Sequence, residues 1–336
     1  MNNLLFWNKR VMRLRSLFPH RLTIGGNYSV HNVGDRAIAY SFYKGFINKS
    51  IRSSIVNYDV FQRYSSGYRI LGGGGTLHDI NMKALLKRAE FVNGNNYSII
   101  GVGVPNVVSN EGIQIVKQLV ENADVCTVRD ELSKSNLVNI GISESLIEVT
   151  ADPALTLNPP AQKVNYKIGV NIKPVFSPED NRSNEEYIKY FGYPNGFDKE
   201  KAYLNFIRKI QEICAKLEDA VFISFGPADE QFASKYLNMP ILETKGDVVE
   251  TLKAVASVEK MICTRYHALV FAIVNKVPVY SISYDPKVKE LADKVNIDSV
   301  SPLNIDSEKI KFKTPENTQK LIESAHANFE KVMDWL

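Results

Sequence analysis

The sequence predicts an α/β protein of two Rossmann-like domains facing a cleft, and three observations carry that expectation. Short apolar runs alternate with amphipathic helical stretches along nearly the whole chain, the pattern of βαβ units and a mainly parallel, doubly wound sheet. The alternation breaks at Asn158-Pro159-Pro160-Ala161-Gln162 and then restarts. At 336 residues the chain is too long for one comfortable core and suited to two.

Taken in order, Leu22-Thr23-Ile24 reads as a strand, followed by a Gly-Gly-Asn loop and a helix starting near Gly34. Tyr68 to Leu71 is a short strand ending in four glycines, and a helix from about Asp79 to Phe91 leads to the apolar strand Tyr97 to Val104. Ile113 to Val120 is helical by period, Val125 to Val128 is a strand, and Asp130 to Val138 is a helix closed by Gly141. Past the proline break come strand Lys167 to Ile172, a long polar insertion, helix Lys199 to Leu217 and strand Ala220 to Phe225. Helices from Asp229 and after Asp247, strand Lys260 to Cys263, helix Tyr266 to Asn275 and strand Val277 to Ser283 complete the second alternation. The expected parts are a basic amphipathic segment over 1–20, a first domain over 21–158, a second over 163–312, and a C-terminal helix over 313–336 that could cross back to the first.

Composition is that of a globular protein, and the apolar runs are strand-length, so none spans a bilayer. Leu4-Leu5-Phe6-Trp7 runs straight into Asn8, Lys9 and Arg10, which argues against a secretory signal. Cys126, Cys214 and Cys263 are odd in number and far apart, as reduced cytoplasmic thiols would be, and not as a disulfide frame or a zinc site. The net charge of +4 is local: Lys9, Arg10, Arg13, Arg15 and Arg21 precede any acid, and the rest of the chain is nearly balanced. The interleaved apolar residues of 1–18 suit either docking on the chain's own first domain or peripheral contact with an anionic membrane at its inner face. Nucleic acid is a poor fit, because bases elsewhere are matched by acids.

The polar residues fall at strand ends, where two-domain α/β proteins build sites. Asn32 and Asp35 follow the first strand, Gly72, Gly73, Gly74 and Gly75 close the next, with Asp79 beyond, and Arg129-Asp130 ends another. The glycine run is either an anion nest or a tight turn, and it lacks the Lys-Ser/Thr of a P-loop. Arg129 is either a solvated cation beside a helix cap or a bidentate anion ligand. Arg265 and His267 sit beside the N-terminus of a helix, and Tyr284 and Lys287 follow the next strand at the same edge. Three potential cations on one rim call for an anionic substrate of high charge.

Together these segments resemble the polysaccharide pyruvyl transferase family from about Ile24 to Leu291. The residues carrying the likeness are Asn32-Val33-Gly34-Asp35, Gly72-Gly73-Gly74 with Asp79, Val128-Arg129-Asp130 with Ser133 and Leu137, Asp152-Pro153-Ala154, Arg265-Tyr266-His267-Ala268, Pro278 and Tyr284-Asp285-Pro286-Lys287. The resemblance implies a GT-B-like fold and the transfer of pyruvate from phosphoenolpyruvate to a sugar hydroxyl pair as a ketal, in surface polysaccharide biosynthesis. It implies Arg129, His267 and Lys287 as ligands of the donor's phosphate and carboxylate, with Arg265 and Tyr284 beside them. It also implies a sugar acceptor, lipid-linked or soluble, and no cofactor or metal. The residues agree with an enol phosphate carrying roughly three negative charges at neutral pH. His267 is either the proton donor or a phosphate ligand. Glu179 and Asp180, in the insertion after Lys173-Pro174, are the carboxylates to test as the acid. Two other readings are a nucleotide-sugar glycosyltransferase of the same architecture and a non-catalytic sugar- or anion-binding module.

Overall fold

A computed structural model describes residues 7–16, 21–28, 31–51, 53–58 and 67–335. The chain forms two compact units, the first from described residues within 7–28, 34–157 and 319–335, the second from 31–33 and 158–318.

The first unit holds a six-stranded parallel sheet in the order β2-β1-β3-β4-β5-β6, formed by Ser53–Asn57, Leu22–Gly26, Tyr68–Gly75, Tyr97–Gly103, Val125–Val128 and Glu148–Val149. Strands flanked on both faces must be apolar throughout, and β4 is buried at every position. Helices α1 (Lys9–Ser16), α2 (Val33–Ile47), α3 (Met82–Val92), α4 (Asn110–Glu121) and α5 (Glu131–Asn139) precede or connect these strands. On one face Phe91, Val116, Leu119 and Leu137 pack over Leu71, Ile99 and Val102.

The four glycines belong to β3 itself, and the strand does not stop at Leu71 as the sequence suggested. A Cβ on Gly73 would collide with the Ile38 side chain of α2, and one on Gly72 would meet Phe42 at 2.9 Å. The run therefore lets α2 lie close on the sheet, and Gly73 and Gly74 take left-handed backbone with φ of +46° and +78°.

Helix α12 (Thr318–Met333) returns to this first unit. Phe329 packs edge-on to Phe42 and Phe46 at 5.8 and 5.6 Å. Asn328, fully buried, accepts from the Thr127 and Thr150 hydroxyls at 2.7 and 2.8 Å and donates to the Ala151 carbonyl at 2.8 Å. At the other end of the sequence α1 lies against β2, and Trp7 and Met12 are buried while Leu14 is exposed. The Arg36 guanidinium stands 5.7 Å above the Trp7 ring. Leu4, Leu5, Phe6, Leu17 and Phe18 of the amphipathic segment lie outside the described residues.

The second unit holds the other sheet, ordered β12-β11-β10-β7-β8-β9 and again all parallel. Its strands are β7 (Tyr166–Asn171), β8 (Ala220–Ile223), β9 (Ile241–Leu242), β10 (Val258–Cys263), β11 (Val279–Ile282) and β12 (Ser299–Val300). Helices α7 (Lys199–Cys214), α8 (Pro227–Tyr236), α9 (Val248–Ala256), α10 (Tyr266–Asn275) and α11 (Pro286–Lys294) complete the βα units. Helix α10 is apolar all round and accordingly buried from Ala268 to Val274.

The polar insertion after β7 is ordered around an aromatic core. Phe176, fully buried, meets the rings of Tyr187, Tyr193 and Phe197 at 5.2 to 5.4 Å. It also contains α6 (Asn184–Phe191), which a Ser183/Glu186 capping box opens and Gly192 closes in left-handed conformation. Among the described residues no helix is long and apolar enough to cross a membrane.

Candidate functional site

In the second sheet the strand order reverses direction between β7 and β10, which are hydrogen-bonded neighbours though far apart in sequence. Connections leave such a pair to opposite sides, which opens a crevice at the carboxyl ends of the strands. Strand β7 ends in Asn171 and runs on to Lys173, β10 runs on to Thr264, Arg265 and His267, and the adjacent β11 runs on to Tyr284, Asp285 and Lys287.

Backbone and buried polar groups lock the reversal. Thr264 N–H donates to the Asn171 carbonyl at 3.0 Å, and Lys173 N–H donates to the Thr264 hydroxyl at 2.6 Å. The Asn171 side chain, fully buried, donates to the Ile223 carbonyl and to Asp229 at 3.0 and 3.2 Å. Asp229 in turn receives Nε and Nη2 of Arg265 at 2.6 to 2.9 Å, and also the Phe225 N–H. Arg265 is thus a positioned cation: a buried carboxylate holds one edge of its guanidinium, while its residue caps the N-terminus of α10. His267, in the first turn of the same helix, is half-buried with its ring edge-on to Tyr266 at 5.2 Å.

Tyr284 is the centre of charge in this group. The Lys173 ammonium lies 4.4 Å from its ring centroid and 3.3 Å from its hydroxyl. Burial drives the phenol's pKa up, but Lys173, Lys287 and Arg265 outweigh burial and Asp285, so it falls below the ordinary tyrosine value. Asp285 caps α11, accepts from Lys287 N–H at 3.1 Å and pairs with the Lys287 ammonium at 2.7 Å. Burial would raise its pKa as well, yet Lys287 and Lys173 hold it below the usual aspartate value. The insertion clasps this edge through the Tyr193 hydroxyl, which donates to the Tyr284 carbonyl at 2.8 Å.

Of the residues expected from sequence, Arg265, His267, Tyr284 and Lys287 therefore share one sheet edge. Lys173, Asn171 and Asp229 belong to the same group and were missed. A lysine two residues past a strand end, and an acid in the first turn after Gly226-Pro227, were the available signals.

Other expected residues are differently placed. Arg129 is buried in the first unit, with Asp130 and Asp152 at 3.2 and 3.1 Å, and its guanidinium packs where a Gly103 Cβ would be. It is neither the solvated cation nor an open anion fork: two internal carboxylates meet its charge, and it braces the end of β5. Asp79 accepts from the Val108 and Ser109 amides at 3.0 and 2.5 Å, which makes it a loop tie. Asp35 stands in the first turn of α2, its carboxylate 3.3 Å from where a Gly74 Cβ would be, and Gly75 faces Pro105. Asn32 is carried by residues 31–33, which belong to the second unit, and Val33 N–H donates to the Phe225 carbonyl at 3.0 Å.

The two insertion carboxylates are poor acids. Burial would raise the pKa of Asp180, but Arg182 and the Tyr187 hydroxyl bind it and lower it to about 2. The Ser177 hydroxyl bonded to Glu179 lowers that group too. Both shifts run downward, away from the raised value that suits a general acid.

Two doubly wound parallel sheets in one chain are the plan of the GT-B sugar enzymes, and solved structures of that plan are similar to this chain. UDP-GlcNAc 2-epimerase from Neisseria meningitidis bound to UDP-GlcNAc has a TM-score of 0.55 at 11% identity, over 94% of this chain and 100% of that one. The Methanocaldococcus jannaschii UDP-GlcNAc 2-epimerase in complex with UDP-GlcNAc and UDP gives 0.53 at 13%, over 95% and 100%. The S. aureus MnaA–UDP structure gives 0.51 at 12%, over 93% and 87%. At these identities the likeness shows the fold. No curated protein matches the chain. Residues 32–286 match the family described as polysaccharide pyruvyl transferase, and the chain belongs to that family.

Proposed function

We propose that the protein transfers the pyruvyl group of phosphoenolpyruvate to two hydroxyls of a sugar, forming a pyruvate ketal in polysaccharide assembly. The observation that carries this reading is the convergence of Lys173, Arg265 and Lys287 around Tyr284 at the strand reversal of the second unit, beside the N-terminus of α10. Such a rim suits a small, highly charged anion, and the family membership supplies the group transferred.

In the proposed reaction the donor's methylene carbon takes a proton and becomes the methyl group, leaving oxocarbenium character at the carbon bearing the phosphate. One sugar hydroxyl forms a C–O bond there and gives up its proton. The bond to the bridging oxygen then breaks, inorganic phosphate leaves, and the second hydroxyl closes the ketal with loss of its own proton. One hydroxyl proton balances the new C–H bond and the other goes to phosphate or solvent. The positioned guanidinium and ammonium groups stabilise the departing phosphate, and the His267 imidazole stands at the same edge in the first turn of α10. The scheme needs no nucleotide or redox cofactor.

Phosphoenolpyruvate is expected to raise the melting temperature, and UDP-sugars are not. Incubation with acceptor and donor should release phosphate and add one pyruvyl unit to the sugar by mass. His267→Ala and Lys287→Ala should each lose phosphate release while the protein stays folded. Stabilisation by UDP-sugars with none by phosphoenolpyruvate would instead identify a nucleotide-sugar enzyme.

A further inference from the structure

Beside the cationic edge, and entirely within the second unit, lies a cavity of about 230 Å³. The far part of α8 supplies Gln231, Phe232 and Tyr236, α7 supplies Tyr203, and the insertion supplies Ser177 and Glu179. None of these lining groups is used by the donor site as described above. Lys173 alone belongs to both: its ammonium touches Tyr284 on one side, and its side chain lines the cavity on the other.

Size narrows the occupant. Pockets for drug-sized ligands run from roughly 300 to 1,000 Å³, so this one suits a single ring and not a nucleotide or an oligosaccharide. The wall chemistry narrows it further. Tyr203 and Tyr236 meet edge to face at 6.5 Å, and Phe232 lies 5.1 Å from Tyr236, which makes an apolar aromatic wall with hydroxyls at its rim. Glu179, a pure acceptor, also lines the cavity, and Gln231 offers both a donor and an acceptor. A pyranose has this duality, with C–H faces above and below and hydroxyls around its edge.

Lys173 and Lys235 are matched in number by Glu179 and Asp180, so the lining carries no net charge, and the adjoining edge adds Arg265 and Lys287, each paired with its own carboxylate. A second anion would be opposed by Glu179.

We propose that this cavity is the acceptor subsite, seating one neutral pyranose ring with its reacting hydroxyls directed past Lys173 toward the donor anion. The inference rests on the pyruvyl-transfer reading for its role and on the cavity's own chemistry for its ligand. Glu179 then orients sugar hydroxyls as an acceptor.

The test uses the full chain and methyl glycosides of glucose, galactose, mannose, N-acetylglucosamine and N-acetylmannosamine as probes, read by saturation-transfer NMR. At least one should bind the wild type. Gln231→Ala and Tyr236→Ala should weaken that binding by roughly tenfold or more, the loss expected from removing one good contact. Gln231 is exposed, so its variant keeps the fold and separates binding from stability. Phosphoenolpyruvate should still raise the melting temperature of both variants. Unchanged glycoside binding in both, or no binding of any probe to the wild type, overturns the assignment. Glycoside binding that is lost in the variants, with no effect of phosphoenolpyruvate on the wild type, would keep the sugar site and discard the pyruvyl reading.

Discussion

Tyr284 stands where two opposing effects meet, and its ionisation reports which one wins. Burial favours the neutral phenol, while Lys173, Lys287 and Arg265 favour the phenolate, and the cations prevail. A depressed folded value means that the fold prefers the deprotonated form. Its contribution to stability is therefore present above the ordinary value of 10.0 and disappears as pH falls through the folded value. In a phenolate difference titration Tyr284→Phe should remove part of the earliest absorbance change, and Lys173→Met should move that part to higher pH. Tyr236, lowered by Lys235, accounts for the early change that remains. Asp180 gives the corresponding acid-side case. Its value falls from 3.8 to about 2, so its stabilisation is complete above the ordinary aspartate value and is lost as pH drops toward about 2. Asp180→Asn should cost about 1–2 kcal/mol at pH 7, reduced from the full linkage value by partial exposure. In urea titrations the difference from wild type should vanish near the lower pH.

Single elements show how sequence dictates packing and where it stops being readable. Gly73 combines left-handed backbone with contact against Ile38. Gly73→Ala should lose roughly 2–5 kcal/mol, from overpacking and from a backbone region hostile to Cβ, measurable by chemical denaturation. The run of glycines was visible in the sequence, but its use was not, because the side chains it admits, Ile38 and Phe42, belong to a helix that precedes it with another strand in between. Helix α10 was readable to the residue, since its apolar stretch begins at an N-cap position and ends where Lys276 takes left-handed backbone. Strands β9 and β12 were not, because two-residue edge strands carry no alternation to detect. The cationic edge divides in the same way. Arg265 to Lys287 is one strand–helix–strand unit and is adjacent in sequence, whereas Lys173 and Asp229 join it only because β7 pairs with β10. Arg129 looked like a free cation because Asp152, one of its two carboxylate partners, is 23 residues away.

At the scale of the molecule, the decisive element is the last helix. Asn328 ties α12 to Thr127, Thr150 and Ala151 in a place with no access to water. Asn328→Ala would leave two hydroxyls and a carbonyl without that partner, and removing one member of a buried polar network costs its neighbours their desolvation. A loss of about 2–4 kcal/mol is expected, with a lower melting temperature in calorimetry and with hydrogen exchange rising first at β5 and β6.

The returning helix also sets an order of assembly. The first unit is begun first by a growing chain and finished last: Thr127 waits 201 residues for its partner, and Thr150 waits 178. All but three residues of the second unit lie between those dates. During synthesis the earlier sheet therefore stands with its Phe42 and Phe46 side uncovered while the later sheet has every strand it needs. An apolar surface open for that long is where a chaperone would be expected to bind, and its release would coincide with the docking of Phe329.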